Sequence, residues 1–297
     1  MKHFESFMAP QLQQYAAYRQ VLGYAKKCIK PPLLAFDRYL IEQNASWDQL
    51  QPAFFLQLRA TISDHPNTVN KILSALRSFF QFLVRNDICV DNPLKDIPPL
   101  PERYFVPFVF SPAQTERLLQ AAGQNIRKTP KYFLTDMAIC LAIVLLARCG
   151  MRINEPLRMH RDQYCRHDGT VYIEKTKFRK DRLIPVPKIA LTQVENYLAV
   201  RSALRPDDQN PYLLAARKQR RLRDGQVRDA FYQAVKDIRI SQPKQVIGNI
   251  TFGKPLPHSL RHGFAIHTLN QIKARGNCPQ QALPVLATYM GHRKYQI

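Results

Sequence analysis

The stretch FLTDMAICLAIVLLARCGMRINEPL, residues 133–157, decides the fold of this chain. Residues 133–146 are mostly apolar and predict a buried helix that ends near Gly150. Within it, the longest run of uncharged apolar residues, 137–147, is too short to span a bilayer. The stretch therefore predicts a helix buried in a soluble globular domain.

On the C-terminal side of this helix, two short segments are typical of strands. Residues 170–174 and 182–186 are rich in β-branched and other apolar side chains, and a strongly basic turn, residues 175–181, lies between them. On the N-terminal side, Ser111-Pro112-Ala113-Gln114 has the residues that begin a helix. The rest of this region also has helical periodicity. We therefore predict a mainly α fold with a small antiparallel β-sheet.

The first 97 residues are predicted to form a separate helical domain. Apolar side chains recur at helical spacing in residues 12–22, in a stripe that starts after Pro31-Pro32, and in residues 47–62. Another helix is predicted to follow Thr68 as its N-cap. Proline is dense in residues 97–101 and predicts an extended linker. We therefore predict domains at residues 1–97 and 109–297, with residues 98–108 as the linker.

The charge of the chain favours a polyanionic partner. There are 44 Lys and Arg against 22 Asp and Glu in 297 residues, a net charge of +22. Residues 1–100 contribute only +3 of this, and the remainder contributes +19. Because the basic residues are spread through periodic sequence, they do not resemble a low-complexity tail. Nucleic acid is the expected partner, with a merely basic surface as the alternative.

Composition also indicates the compartment and the absence of a metal. The six cysteines are scattered without a CxxC pair and are expected to be reduced. The N-terminus lacks the apolar core of a signal peptide, so we expect a cytoplasmic protein that does not enter a membrane. No Asp, Glu and His residues show recognisable metal-ligand spacing. We therefore expect no metal.

Two groups of basic side chains are candidates for DNA contact. Lys71 and Arg77 lie on the polar face of the helix predicted after Thr68. The second group is the densest basic run, which we predict to share a helix with Arg228; its members are Arg217, Lys218, Arg220, Arg221 and Arg223. Contacts of this kind bind phosphates and supply affinity and salt dependence. A solvated helix face is the alternative for both groups.

Four segments, in order and spacing, resemble the motifs of the tyrosine recombinase, or phage integrase, family. They are Gly150-Met151-Arg152-Ile153-Asn154-Glu155-Pro156-Leu157 with Asp162, Thr176-Lys177-Phe178-Arg179-Lys180-Asp181-Arg182-Leu183-Ile184-Pro185, His258-Ser259-Leu260-Arg261-His262, and Tyr289-Met290-Gly291-His292. Residues 68–93 also resemble part of the family's N-terminal core-binding domain. The resemblance covers nearly the whole chain. It implies a helical SAM-like core-binding domain and a catalytic domain that together form a C-shaped clamp around DNA.

The resemblance also implies the role of each catalytic residue. Arg152 and Arg261 would bind the scissile phosphate and stabilise the charge of the transition state. Lys177 would protonate the departing 5′-oxygen. His258 would act as acid and base, and His292 would donate a hydrogen bond to the phosphate.

Other residues of the same motifs have less direct expected roles. Lys175 and Lys180 compete with Lys177 as the acid, and counting back from residues 182–185 favours Lys177. Together with Arg179, Lys175 and Lys180 are also candidates for DNA contact. Glu155 is expected to position its own helix rather than to touch the substrate.

The nucleophile is the part of the resemblance that this sequence does not supply. In the family, the nucleophilic tyrosine lies beyond the histidine that matches His292, at a position past Ile297. We therefore expect a shortened form of a longer recombinase that cannot cleave DNA by itself. Tyr295 is the candidate within the chain, although its position usually holds an apolar packing residue. Tyr289 precedes the histidine and is expected in the core.

The activity implied by the resemblance is breakage and rejoining of double-stranded DNA through a 3′-phosphotyrosyl intermediate. Strand exchange would take place in a homotetramer, without a cofactor. A non-catalytic, sequence-specific DNA-binding protein derived from a recombinase is one alternative. A type IB topoisomerase is another, and the resemblance to a core-binding domain argues against it.

Overall fold

A computed structural model describes residues 3–62, 65–174, 181–217 and 219–291 of the chain. The chain divides into two compact units, Met1–Tyr104 and Phe105–Ile297. The boundary between them falls within residues 98–108. Among the described residues, no helix has the length and apolar character needed to cross a membrane.

In the described residues of the N-terminal unit there are four helices and a short 3-10 turn. They are α1 (Ala9–Val21), α2 (Lys26–Glu42), the turn Trp47–Gln49, α3 (Pro52–Thr61) and α4 (Pro66–Arg85). Helix α4 is strongly amphipathic, and its apolar face, with Leu76, Phe79 and Phe80, is fully buried against α1 and α2. Burial of this stripe, rather than intrinsic helix propensity, supplies most of the stability of such a helix.

The start of α2 differs from the sequence prediction. The helix begins at Lys26, so Pro31 and Pro32 lie inside it rather than at its start. A proline in a helix removes the hydrogen bond to the carbonyl four residues earlier. Here the carbonyls left without that partner belong to Lys27 and Cys28, which are exposed and can be hydrated. Burial of Ile29 on the core side favours the helical first turns.

Two other predicted boundaries in this unit were also wrong. The N-cap of α4 is His65, whose ring accepts a hydrogen bond from the Asn67 amide, and Thr68 lies inside the helix. The helix expected over residues 47–62 is divided into the 3-10 turn and α3, because Pro52 occupies the first turn of a new helix.

The polar face of α4 binds the segment that follows it. Arg77 donates hydrogen bonds from Nε to the Leu94 carbonyl (3.0 Å) and from Nη2 to the Ile97 carbonyl (2.8 Å). The Asn70 side chain pairs with both backbone groups of Leu100, each at 2.8 Å. Residues 94–100 therefore remain attached to the N-terminal unit. Arg77 has a structural role, whereas Lys71 is exposed and stays a prediction for DNA contact.

Helices also dominate the second unit. They are α5 (Pro112–Gln124), α6 (Phe133–Cys149), α7 (Asn154–Arg158), α8 (Lys188–Leu204), α9 (Asp224–Asp237), α10 (Pro257–Ala274) and α11 (Pro279–Met290), with a 3-10 turn at Arg161–Gln163. Helix α6 is buried along its length and contacts α5, α8, α9 and α10. The predicted buried helix is therefore confirmed, as is its end at Gly150, which adopts the left-handed conformation at φ 57°. The predicted start of α5 is also confirmed, with reciprocal Ser111 and Gln114 hydrogen bonds.

Within the described part of the chain, six short strands form two three-stranded sheets. The strands are β1 (Tyr104–Val106), β2 (Tyr164–Cys165), β3 (Thr170–Ile173), β4 (Arg182–Pro185), β5 (Gln245–Ile247) and β6 (Ile250–Phe252). Their orders are β1-β6-β5 and β2-β3-β4. The predicted hairpin is confirmed as β3 and β4, which pair antiparallel with Ile173 opposite Arg182. The sequence did not predict β2 or the other sheet.

The basic run does not lie on a helix, contrary to the sequence prediction. Helix α9 begins at Asp224, and residues 217 and 219–223 precede it in a loop where Ala215 pairs with Arg221. Gln219 has a φ of 54°, which a helix cannot accommodate. The loop is held from outside, because the Asn210 side chain donates to the Arg220 carbonyl. Lys218 is outside the described residues.

Candidate active site

Arg261 is the most deeply buried of the predicted catalytic residues. It lies on α10 and is only 1% exposed. Its Nη1 donates to the carbonyl of Gly150 and its Nη2 to the carbonyl of Met290. These acceptors end α6 and α11, where the last carbonyls of a helix lack partners within the helix. Arg261 thus joins three helices at one point.

Arg152 reaches the same point from the other side of Gly150. Its Nη2 donates to the Gly291 carbonyl (2.7 Å), next to the carbonyl that Arg261 binds. Its Nη1 and its backbone amide both donate to the Glu155 carboxylate, at 2.9 and 2.8 Å. The structure therefore brings Arg152 and Arg261 together, as the sequence predicted.

Glu155 holds a further arginine that was not among the predicted site residues. Arg182, on β4, donates through Nη1 and Nη2 to the two oxygens of Glu155, at 3.1 and 2.8 Å. Its Nε donates to the Tyr289 carbonyl (2.8 Å). Glu155 and Arg182 have side chains that are 8% and 9% exposed. We call Arg152, Arg182 and Arg261 with Glu155 the arginine cluster.

The arginine cluster carries an excess of buried positive charge. It has three guanidinium groups and one carboxylate. Burial alone would raise the pKa of Glu155, but Arg182 and Arg152 lower it below the usual value, so the carboxylate is ionised. Burial, reinforced by the charge of Arg152, lowers the pKa of Arg261 to about 9. Such a group favours a bound anion, and the guanidinium fork matches two phosphate oxygens.

Two glycines allow the backbone to approach the arginine cluster. At Gly150, a Cβ atom would lie 2.4 Å from Cδ1 of Phe264, and at Gly291 it would lie 3.0 Å from Nη1 of Arg182. Both residues have positive φ, so a side chain would also be strained. The Phe264 ring stacks on Tyr289, with the centroids 5.5 Å apart. At both positions, the positive φ and the lack of space for a Cβ atom independently favour glycine.

Comparison with known families agrees with this geometry. Residues 109–296 match the model of the phage integrase family, and residues 30–87 match that of the phage integrase N-terminal SAM-like domain. The chain belongs to the phage integrase family. The resemblance inferred from four motifs is therefore confirmed, and so is the mainly α fold with small sheets.

Two curated members of the family show how far the similarity extends. The putative integrase/recombinase y4rE of Sinorhizobium fredii is 29% identical over 99% of this chain and 91% of its own length. Tyrosine recombinase XerC of Alcanivorax borkumensis is 30% identical over 79% of this chain and 73% of its own length.

Solved structures of the family share the fold. A lambda integrase in a dimer bound to a COC′ core site superimposes with a TM-score of 0.69 at 16% identity, over 97% of this chain and 95% of that one. XerH site-specific recombinase bound to difH superimposes with a TM-score of 0.68 at 18% identity, over 96% of this chain and 79% of that one. At these identities the similarity concerns the fold alone.

His258, the family's expected acid and base, lies at the start of α10. It is exposed and precedes Arg261 by about one helical turn, so both side chains lie on the same side of α10. Its ring is 4.8 Å from that of His262 in an edge-to-face arrangement. Burial, followed by the charge of Arg261, lowers the pKa of His262, which favours its neutral form.

Several predicted site residues of this integrase-family chain lie outside the described residues. They are Lys175, Lys177, Arg179, Lys180, His292 and Tyr295. Their roles stay predictions. The neighbouring residues Arg182 and Gly291 are both at the arginine cluster, through a side chain and a carbonyl.

The prediction that Tyr289 is a packing residue is confirmed. Tyr289 packs against the core of the second unit, and burial raises the pKa of its hydroxyl. A phenol with a raised pKa is a poor nucleophile.

Among the described residues, no three or more His, Cys, Asp and Glu side chains are grouped so as to hold a metal ion.

Arg182 could have been found from the sequence. In a strand, residues two apart face the same side, so Arg182 shares a face with the buried Ile184. A cation on a buried face needs a carboxylate partner. Glu155, already quoted in the first motif, was the available one.

Proposed function

We propose that this protein is a site-specific DNA recombinase or integrase that works through a 3′-phosphotyrosyl intermediate. The observation that supports this most directly is the arginine cluster, in which two predicted phosphate-binding arginines converge with excess positive charge. The net charge of +22 supports double-stranded DNA as the substrate.

The proposed reaction transfers a phosphoryl group twice. A tyrosine hydroxyl attacks the scissile phosphorus and loses its proton, a P–O bond to the 5′-oxygen breaks, and that oxygen leaves as a hydroxyl. The 5′-hydroxyl of a partner strand then attacks the phosphotyrosine and restores the tyrosine. No external energy source is needed, because each step exchanges one phosphodiester for another.

The chain's own residues would supply charge stabilisation and proton transfer. Arg152 and Arg261 would bind the non-bridging oxygens, where negative charge develops, and their carbonyl anchors fix them beforehand. His258 would accept the proton of the nucleophile. Lys177 would donate one to the leaving oxygen, and His292 would hydrogen-bond the phosphate.

The wider assembly is also part of the proposal. We propose that the two units act as core-binding and catalytic domains, that strand exchange takes place in a homotetramer, and that the reaction occurs in the cytoplasm. Support for the assembly comes from a lambda integrase tetramer bound to a Holliday junction, with a TM-score of 0.67 at 16% identity. The nucleophile would be a tyrosine beyond His292, as the family motif predicts.

Trapping on a nicked duplex tests the catalytic proposal. The protein used includes the tyrosine that follows the His292 segment, and the nick lets the cleaved end diffuse away so that the covalent complex accumulates. We expect Arg152→Ala and Arg261→Ala to bind the duplex but to attach to it at least about a hundredfold more slowly. Arg261→Lys keeps the charge without the fork and shows whether misfolding explains the loss. Arg166→Ala, on the exposed surface, is the control.

The outcomes separate the candidate functions. Attachment at the normal rate in either alanine variant would disprove the assigned roles. Binding without any attachment would favour the non-catalytic DNA-binding protein. If residues 1–297 alone became attached, and Tyr295→Phe prevented it, the nucleophile would be Tyr295.

A further inference from the structure

A second basic site lies in the catalytic unit, remote from the arginine cluster. A cavity of about 660 Å³ opens between the end of α5, the first half of α6, α9 and the loop before α9. Its apolar floor includes Ile126 and Ile139. Along α6, Thr135 in the cavity lies about 20 Å from Gly150, at 1.5 Å per residue. We call it the basic cavity.

Thr135 gives the basic cavity an unsatisfied polar group. Its side chain lines the cavity and is only 6% exposed. The hydroxyl is buried and has no hydrogen-bond partner among the described residues. Buried hydroxyls without a partner are unfavourable and uncommon. A ligand that enters the cavity and displaces the atoms that now cover this hydroxyl would satisfy it.

The rim of the basic cavity has more cations than carboxylates. Its exposed arginines are Arg217, Arg220, Arg221 and Arg223, and none forms an ion pair with a carboxylate of the described residues. Arg127 is different, because Asp136 binds its Nε and Nη2 at 2.7 and 2.8 Å. The unpaired guanidinium groups favour an anionic ligand, and their planar forks suit a phosphate.

The shape of the basic cavity limits the kind of anion. The backbone of a DNA duplex is convex and presents sugars and phosphates, with no flat apolar face to cover an isoleucine floor. A nucleoside phosphate has both parts, because its base is flat and largely apolar on its faces and its phosphate is charged. The volume is within the usual range of small-molecule sites. Thr135 would meet the polar edge of the base.

We infer that the basic cavity binds a nucleoside phosphate, with the phosphate at the rim arginines and the base on the floor beside Thr135. This site is separate from the proposed phosphoryl-transfer reaction. The nucleoside phosphate has two possible sources, which are a free nucleotide and an unpaired nucleotide at the end of a DNA strand.

Calorimetric titration of the 297-residue chain with 2′-deoxyadenosine 5′-monophosphate tests the inference. Thr135→Val removes the hydroxyl and is expected to weaken binding about tenfold. The double variant Arg220→Gln/Arg221→Gln should weaken it at least as much, and Ala230→Trp should abolish it by filling the cavity. Lys236→Gln removes an exposed charge from α9 outside the cavity and should leave binding unchanged.

Three results would overturn the inference. One is affinity for inorganic phosphate equal to that for the nucleotide, since the floor would then contribute nothing. Another is unchanged nucleotide binding by an Ala230→Trp variant whose thermal unfolding matches that of the unsubstituted chain. If Ala230→Trp does not fold, unchanged binding in both Thr135→Val and the double variant is decisive.

Duplexes with and without a three-nucleotide single-stranded extension identify the source. A preference for the extension that Ala230→Trp removes assigns the cavity to an unpaired DNA nucleotide. Nucleotide binding with no preference for the extension assigns it to a free nucleotide. Equal weakening of blunt and extended duplexes by Ala230→Trp, without nucleotide binding, would show a duplex contact and overturn the inference. Because none of these measurements needs DNA cleavage, their failure is distinguishable from failure of the proposed recombinase activity.

Discussion

Replacing Glu155 with glutamine should reveal how much the arginine cluster depends on one carboxylate. Glu155→Gln keeps the shape of the side chain but removes its charge. The carboxylate now accepts four hydrogen bonds from Arg152 and Arg182, at 2.8 to 3.1 Å. After the change, the amide group would direct two N–H donors toward guanidinium groups that are themselves donors. Among the described residues, the two buried guanidinium groups of Arg182 and Arg261 and the half-buried one of Arg152 would lose the carboxylate that neighbours them.

The expected cost follows from burial. Removing one partner of a buried ion pair costs about 3–5 kcal/mol, because the other charge stays buried and unpaired. Glutamine keeps one acceptor oxygen, so we expect the lower end, about 3 kcal/mol. For a unit of this size, 1 kcal/mol corresponds to roughly 2–4 °C in Tm. The unfolding midpoint of the catalytic unit should therefore fall by roughly 6–12 °C.

Thermal unfolding followed by circular dichroism measures this shift, and Glu116→Gln is the matched control. Glu116 also pairs with an arginine, Arg148, at 2.6 Å, but its side chain is 57% exposed. An exposed pair contributes about 0–1 kcal/mol, so the control should lose at most a few degrees. Equal shifts in the two variants would refute the claim that the arginine cluster depends on a buried anion.

The pH dependence of the stability of the unsubstituted chain and of Glu155→Gln gives an independent check. The pKa of Glu155 is lowered in the folded state, so its contribution is complete above the unfolded-state pKa of about 4.3 and is lost as the pH falls through the folded-state pKa. The stability difference between unsubstituted chain and Glu155→Gln should be constant from neutral pH to about pH 5 and shrink at lower pH. A difference that grew on acidification would contradict the ionised state assigned to Glu155.

Three further predictions concern other parts of the molecule. Gly150→Ala should destabilise the catalytic unit by more than about 1 kcal/mol in urea unfolding, because Gly150 has a positive φ and the Phe264 ring is close to it. The control Gly123→Ala, in helix α5 with open space around it, should be neutral or stabilising. Lys71→Gln should make the negative slope of log affinity for DNA against log salt concentration shallower by about 0.9. Arg77→Gln should instead lower the stability of the N-terminal unit, measured by native-state hydrogen exchange. Asp37→Ala should cost about 2–3 kcal/mol in chemical denaturation of that unit, since the buried carboxylate accepts hydrogen bonds from the backbone amides of residues 5 and 6; an unchanged midpoint would exclude this anchoring role.

Local signals in the sequence were sufficient for several elements of the fold. The capping residues Ser111 and Gln114 fix the start of α5 without help from elsewhere in the chain. Gly150 ends α6 because the left-handed conformation is accessible to it. The β3–β4 hairpin follows from the strand-like segments on either side of the basic residues 175–181. In each case the determining residues are within a few positions of the feature.

Elements fixed by distant partners were missed. The basic run before α9 has helix-forming residues, but Asn210 and Tyr197 hold its neighbours in a loop. Arg77 has the composition of a solvent-facing residue, yet carbonyls about twenty positions away accept its hydrogen bonds. The prolines of α2 are tolerated because Ile29 is buried by other helices. Periodicity along the chain contains no information about such partners.

The arginine cluster also has a fixed place in the order of synthesis. Its three guanidinium groups are on residues 152, 182 and 261, but their carbonyl acceptors include residues 289, 290 and 291. A nascent chain that has reached residue 280 already contains every arginine of the cluster and none of those three acceptors. Since chains emerge from the ribosome N-terminus first, the earlier helices can fold while the arginines are still without these carbonyl acceptors. Assembly of the arginine cluster is therefore postponed until residue 291 has been translated.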